Sequence, residues 1–344
     1  MCYNTDMNAE LGCLARHRAY LGKPPKKGSV VPFPCVPAKV FATQVDGLAR
    51  RLKAIGCAHV VLGLSGGLDS TLALLVCDAA FAKLRLDKRG IHVFTMPGFG
   101  TSKRTKGNAE LLCEGLGLSL ETISIAKACR QHFKDIGHDG KTPDVTYENA
   151  QARMRTMILM DKANMLGGIV IGTGDLSEIA LGWSTYNGDH MSMFAVNNDV
   201  PKTVIRRVCA WWASEEVKSK SEKVKSAAAV RDIIDTPVSP ELVKGQVTED
   251  KIGPYELHDF FLWNFIMNEM GSRDLQCAAE RHFSNGPYSK DLIAKTLKTF
   301  LWRFFTQAFK RNCQPDGIRV FPFELSLHGW WIPSDLDRRV WARI

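Results

Sequence analysis

Ser65-Gly66-Gly67-Leu68-Asp69-Ser70 lies where an apolar run, residues 59–64, meets a helix-forming stretch, residues 71–76. The order strand, glycine turn, helix start is the arrangement that holds phosphate. Gly66 and Gly67 tolerate positive φ and carry no Cβ to block an anion, while the free N–H groups and macrodipole of a helix N-terminus point at it. Ser65, Ser70 and Thr71 add hydroxyl donors. Asp69 would repel a bare phosphate, so its presence implies Mg²⁺ shared between carboxylate and polyphosphate oxygens. A surface turn has the same composition, but the strand before and the helix after argue against it. The spacing fits neither Gly-x-x-x-x-Gly-Lys-Ser/Thr nor Gly-x-Gly-x-x-Gly.

Around this turn the chain alternates. Val45, Leu48, Leu52 and Ile55 keep a helical period over 42–55. After the turn come a helix (71–84), a strand (91–96), a Gly/Ser/Thr loop, a helix (105–115), a strand (118–125), a long amphipathic helix (about 147–166) and a strand (168–171). The pattern predicts an α/β fold, a doubly wound parallel sheet with ligands at the carboxyl ends of its strands. Residues 1–40, with scattered Pro and Gly, read as a loose leader or linker. Residues 41–240 read as the α/β core and 241–344 as a helical C-terminal part, its aromatics most simply core packing. The charged run 215–225 reads as a solvated face.

A second small-residue turn, Gly172-Thr173-Gly174-Asp175-Leu176-Ser177-Glu178, follows the 168–171 strand and opens a helix. Asp175 and Glu178, three apart, share a helical face. One carboxylate there is explained by capping. Two, beside the Asp69 loop in a parallel sheet, point to a metal site. At the start of the long helix, Asn149 and Arg153 are four apart and share a side available to a ligand.

The 344 residues, 45% apolar and 24% charged, are those of a globular chain able to bury a large core. A formal charge of +9 favours anionic partners without choosing among them. The ten cysteines include no Cys-x-x-Cys pair, which favours reduced, mostly buried thiols over a disulfide framework or a zinc site. The N-terminus lacks a basic region followed by an apolar core, and no uncharged apolar run reaches about 18 residues. A cytoplasmic, non-membrane protein is the expectation.

The Ser65–Ser70 hexapeptide resembles the Ser-Gly-Gly-x-Asp-Ser loop of the ATP pyrophosphatase superfamily, whose adenine-nucleotide alpha-hydrolase type of fold is then implied. The wider set looks like NAD synthetase, closest to the synthetase half of the glutamine-dependent, two-domain enzymes. It comprises Gly172 to Glu178, Ala180-Leu181-Gly182-Trp183-Ser184-Thr185-Tyr186, Val200-Pro201-Lys202-Thr203 and Ser239-Pro240-Glu241-Leu242. It continues through the 309–317 stretch to Pro333-Ser334-Asp335.

The resemblance implies a C–N ligase. The carboxylate of nicotinic acid adenine dinucleotide attacks the α-phosphate of ATP, pyrophosphate leaves, and ammonia displaces AMP to give NAD⁺. It places Ser65, Gly66, Gly67, Asp69, Ser70, Thr71, Thr173, Lys202 and Ser239 at ATP, and Asp69 and Glu178 at Mg²⁺. Asn149, Arg153, Glu178, Trp183, Ser184, Thr185, Tyr186 and Lys310 fall at the dinucleotide. Asp69 and Lys202 carry charge stabilisation, and Asp175 is the candidate for binding ammonium or taking its proton. Lys202 and Lys310 can neutralise phosphates, and Trp183 or Tyr186 can stack on a flat ring. A homodimer or larger oligomer is implied too.

The two-domain enzymes carry a nitrilase-like glutaminase ahead of the synthetase, and the residues before Ser65 are too few for one. The expected nitrogen source is therefore free ammonia or a separate glutaminase, or the chain is a truncated or split form. Cys2 invites comparison with enzymes resembling asparagine synthetase, whose amidase domain is also far longer than this leader. Two rivals remain: a tRNA-modifying ATP pyrophosphatase, favoured by charge and the Lys-rich 218–225 run, and a non-catalytic nucleotide sensor. The absent Cys-x-x-Cys counts against the first, and intact Asp69, Glu178 and Lys202 against the second.

Overall fold

Val60 to Gly63 form β1, and the alternation of this short strand sets the two faces of the sheet. Val60 and Leu62 point into one apolar core and Val61 into another. The computed structural model describes residues 32–326 and 329, apart from 219–223, 240, 241, 244 and 246. Cys2, the 333–335 motif, Pro240, Glu241 and most of the Lys-rich run lie outside the described residues.

The helix α1 (Pro37–Ile55) precedes β1, and α2 (Leu68–Leu84), β2 (Ile91–Thr95), α3 (Lys103–Leu116) and β3 (Leu120–Thr122) follow it. The chain then forms α4 (Ala126–Asp135), α5 (Val145–Leu166), β4 (Ile169–Gly172), α6 (Leu176–Leu181), β5 (Phe194–Ala195), α7 (Lys202–Lys218) and α8 (Val224–Ile234). Four helices complete it: α9 (Thr248–Ile252), α10 (Tyr255–Met267), α11 (Ser272–His282) and α12 (Lys290–Thr306), before a 3₁₀ segment at Ala308–Cys313.

All strand pairings are parallel, in the order β3-β2-β1-β4-β5. The chain runs outward from β1 to β3, then returns to the far side of β1 for β4. The order therefore reverses between β1 and β4, and the crevice beyond their carboxyl ends is the place where such sheets bind ligands. The glycine turns after β1 and after β4 both open there.

One face of the sheet is covered by α1, α2, α3, α7 and α8, the other by α4 and α5, whose Cys129, Phe133, Ala150 and Ala163 pack on Val61, Phe94 and Val170. This is the doubly wound fold anticipated from the alternation. The helices α10, α11 and α12 belong to the same apolar cluster as α2 and β1, so the C-terminal helices are continuous with the main core. Among the described residues no helix is long and apolar enough to cross a membrane.

Three expectations shift. The helix α1 begins at Pro37, inside the stretch read as leader, because Pro fits the first helical turn. Phe33, 2% exposed, packs among Trp263, Phe321 and Phe323, so residues 32–36 are tied to the core. The 118–125 run forms a strand only over Leu120–Thr122, and α4 starts directly after it.

Candidate active site

The turn after β1 is held by its own hydroxyls. Ser70 Oγ and Thr71 Oγ1 donate to the Gly67 carbonyl at 3.1 and 2.8 Å, and Gly67 N–H donates to Ser65 Oγ at 3.2 Å. Both Ser70 and Thr71 are buried. They were expected as phosphate donors; in this structure they donate to Gly67 O and brace the turn. Gly66 has φ +79°, and a Cβ there would lie 2.2 Å from the Thr105 carbonyl oxygen. Only glycine fits that approach.

No side chain caps α2. Among the described residues the N–H groups of Gly66, Leu68, Asp69 and Ser70 have no protein acceptor. These amides, at a helix N-terminus, form an anion site.

The turn after β4 meets the first one through Asn197, whose Nδ2 donates to the carbonyls of Asp69 (2.9 Å) and Thr173 (3.2 Å). Gln44 of α1 in turn donates to Asn197 Oδ1 at 2.9 Å. Asn197 was not singled out in the sequence, where a lone Asn in an irregular stretch carries no signal.

Asp175 is the N-cap of α6, its Oδ1 accepting Glu178 N–H at 2.9 Å. The carboxylates of Asp69, Asp175 and Glu178 place oxygens within 4.8 Å of one another. Among them sits the Lys202 ammonium, 2.6 Å from Asp69 Oδ2, 2.5 Å from Asp175 Oδ2 and 3.0 Å from Glu178 Oε1.

Burial pushes the Asp69 carboxyl up to about 6, with Lys202 pulling it down and Asp175 adding to the rise. Burial and then Asp175 hold Glu178 well above the usual range. Burial alone would lower Lys202, but the three carboxylates outweigh it and hold the ammonium charged. Lys202 is 2% exposed and Asp175 0%. Lys202, expected at phosphate, and Asp175, expected at ammonium, both lie in this buried ion cluster.

A cavity of about 720 Å³ opens over this cluster. Ser65, Gly66, Gly67, Asp69, Thr173, Glu178 and Ser239 line its phosphate end, and Asn149, Trp183, Ser184, Thr185 and Lys310 line it further along. The size suits a nucleotide-scale ligand.

Helix α5 and the 182–190 loop are pinned together. Thr185 Oγ1 donates to Asn149 Oδ1 at 2.7 Å, and the Arg153 guanidinium donates twice to the Tyr186 carbonyl at 3.2 Å. Asn149 and Arg153 therefore do share a side, although Arg153 clamps the loop rather than reaching into open space. Lys310 Nζ donates to the carbonyls of Gly182 (2.8 Å) and Ser184 (2.7 Å). Arg303 lies over the Trp183 ring at 4.7 Å. Tyr186 stacks on His190 and packs against Phe309 at the outer side of the loop.

Arg155, Asp189 and Arg303 also line the cavity and were not anticipated. Arg155 stands two positions from Arg153, and Arg303 lies in a helix whose aromatic content read as packing.

Residues 40–286 match the family profile described as NAD synthase. The chain belongs to the NAD synthase family. The glutamine-dependent NAD(+) synthetase of Mycobacterium leprae is 38% identical over 90% of this chain and 51% of its own length. The chain spans about half the length of the curated relatives it matches. A glutamine-dependent NAD(+) synthetase structure from Cytophaga hutchinsonii superposes with TM-score 0.68 at 17% identity, covering 88% of this chain and 55% of that one. An NMN synthetase structure from Francisella tularensis gives 0.60 at 24%, covering 81% and 97%. At these identities the structures support the fold, which agrees with the α/β arrangement above. The NAD synthase match includes both glycine turns, α5, Lys202 and Ser239, and stops short of Lys310.

Proposed function

We propose that this chain amidates the pyridine carboxylate of nicotinic acid adenine dinucleotide to give NAD⁺, consuming ATP through an acyl-adenylate and releasing AMP and pyrophosphate. The observation that carries the reading is the pair of turns at the β1/β4 reversal. The first offers free amides to phosphate, and Asp69 and Glu178 stand on the same cavity wall. The NAD synthase family supplies the chemistry that uses such a wall.

The donor set fits Mg²⁺. It is all oxygen from carboxylates, and Asp69 Oδ1 is buried with no hydrogen-bond partner among the described residues. Asp69 and Glu178 would hold the ion, which supplies charge neutralisation at the triphosphate when bound.

In the proposed reaction the amides of Gly66 to Ser70 and Ser65 Oγ hold the phosphates, and Thr173 and Ser239 border the rest of ATP. Lys202 keeps Asp69 and Glu178 in place and sets a fixed positive charge beneath the phosphate site. Asp175, fully engaged as cap and ion partner, positions Lys202 and Glu178. Asn149 with Thr185, Arg153 with Tyr186, Ser184 with Lys310, and Trp183 shape the dinucleotide end. Rate enhancement then comes from holding the carboxylate in line with the α-phosphorus and from fixed charge around it.

Ammonia, free or delivered by a glutaminase, is the nucleophile, and the working unit is a homodimer or larger. The buried cysteines and the assigned motifs favour a cytoplasmic enzyme acting on small molecules rather than RNA. The test is turnover with ATP, Mg²⁺ and nicotinic acid adenine dinucleotide, with ammonium or glutamine as nitrogen source. Stoichiometric AMP, pyrophosphate and NAD⁺ with ammonium are expected. No pyrophosphate release under any nitrogen source would leave only nucleotide binding. Turnover faster with the mononucleotide acid than with the dinucleotide would change the substrate.

A further inference from the structure

Outside the ion cluster, one nucleophile and one base meet beside the cavity. Cys313 Sγ, half-buried at the end of the 3₁₀ segment, is 3.5 Å from His190 Nε2. His190 Nδ1 is 3.0 Å from the Thr185 carbonyl oxygen. A carbonyl only accepts, so Nδ1 carries the hydrogen, and in neutral imidazole Nε2 presents a lone pair to the thiol. Burial lowers His190 from its usual value, which favours the neutral ring that can accept a proton. The Tyr186 ring stacks on the other partner of this contact, His190, at 5.9 Å. A cysteine, a base, and a third group fixing the tautomer of that base make the arrangement of an activated nucleophile.

The other described cysteines contrast with it. Cys77, Cys113, Cys129 and Cys209 are buried, and burial pushes all four thiols up. Cys277 is exposed and Cys35 and Cys57 are half-buried, and among the described residues none of these three sulfurs contacts a histidine ring nitrogen. Cys313 is the one that combines access with a histidine base among the described residues.

We propose that Cys313 is a thiol modification site, taking small disulfides by thiol–disulfide exchange, and that its occupation disables the neighbouring cavity wall. The thiol proton passes to His190 Nε2. The Cys313 thiolate attacks one sulfur of the disulfide, a new S–S bond forms as the old one breaks, and the departing thiolate takes a proton. The chain's thiol is oxidised and the small disulfide is reduced to one free thiol plus the protein adduct.

The consequence follows from what surrounds the sulfur. It sits 3.6 Å from the Lys310 carbonyl oxygen, and Lys310 Nζ ties Gly182 to Ser184 on the cavity wall. A multi-atom adduct on this sulfur would press on His190 and the Lys310 segment and so displace that wall. The second half of the proposal rests on the ligase reading; the first does not.

The test incubates the full chain with glutathione disulfide at neutral pH and maps the adduct by peptide mass, in parallel with ammonia-dependent turnover. The adduct is expected first at Cys313, with turnover falling in step and returning on reduction. Cys313→Ser should lose the adduct and the inhibition. His190→Gln should slow adduct formation about tenfold or more by removing the base. Adduct appearing first at Cys277, or at an unchanged rate in His190→Gln, overturns the activated thiol. Full occupation of Cys313 with undiminished turnover overturns the coupling to the wall. If the enzyme has no turnover with the dinucleotide, the ligase reading fails while the mass map still decides the thiol.

Discussion

Lys202→Met removes an ammonium in contact with three carboxylates, and its cost follows from the distances. At an effective dielectric near 20, each contact of 2.5–3.0 Å represents about 6 kcal/mol of gross attraction. Carboxylate oxygens no more than 4.8 Å apart repel by at least about 3 kcal/mol a pair on the same scale. The gross terms are offset by regained lysine solvation and by protonation of the carboxylates, so the net loss is that of breaking a buried ion pair, about 3–5 kcal/mol at pH 8.

The pH dependence identifies the cause. Without the ammonium, a carboxyl that is ionised beside it in the wild type stays protonated in the fold and ionises on unfolding. A group with a raised folded-state pKa loses stability as pH rises, by about 1.4 kcal/mol per pH unit for each such carboxyl. The deficit relative to wild type should therefore shrink by about 3 kcal/mol per carboxyl between pH 8 and pH 6. Urea unfolding of both proteins at pH 6, 7 and 8 reads it directly. A deficit under about 1 kcal/mol at pH 8, or one equal at pH 6 and pH 8, would refute a compensating role for the buried charge.

Gly66→Ala forces a Cβ against Thr105 O in a left-handed conformation; a loss of about 1–3 kcal/mol and of ATP-induced thermal stabilisation is expected, and a normal ATP shift would contradict the turn's role. Lys310→Ala should weaken dinucleotide binding with ATP binding little changed, measured by calorimetry; the reverse pattern removes Lys310 from that pocket. His258 donates Nε2–H to Ile252 O at 2.9 Å, and burial lowers it to about 4. The unfolded chain binds a proton below about pH 6.5 that the fold refuses, so stability falls as pH drops towards 4, by up to about 3 kcal/mol. His258→Gln should flatten that part of the stability curve, and an unchanged slope would show that another group titrates.

The sheet was legible because its strands are short, apolar and punctuated by glycine. The turn after β1 was legible because only a few residue types can build it. Asp69, Glu178, Thr173 and Ser239 line the same cavity, as their motifs implied. What the sequence did not disclose was direction. Ser70 and Thr71 hydroxyls are equally good donors to phosphate and to Gly67 O, and only the fold shows which acceptor is near. Lys202 likewise suits phosphate or carboxylate, and its carboxylate partners come from two other elements that only the fold brings together. Two-residue β5 was invisible for want of length, and α4 because its charged sequence has a narrow apolar stripe formed by Cys129 and Phe133.

The position of Lys202 also depends on the C-terminal helices. Asp259 on α10 accepts from Ser177 Oγ at 2.5 Å and from both Thr203 N–H and Thr203 Oγ1, while Lys202 N–H donates back to Ser177 Oγ at 2.8 Å. A buried carboxylate thus fixes the first residues of α7 to the first turn of α6, the two places that supply Lys202 and Glu178. Burial raises Asp259 to about 7, with Ser177 and Thr203 holding it down, so the geometry depends on these donors staying in place. Asp259→Asn should therefore impair turnover without touching any ligand, and leave the free amides after β1 able to bind nucleotide. A variant with intact turnover would show that α6 and α7 hold their register through apolar packing alone.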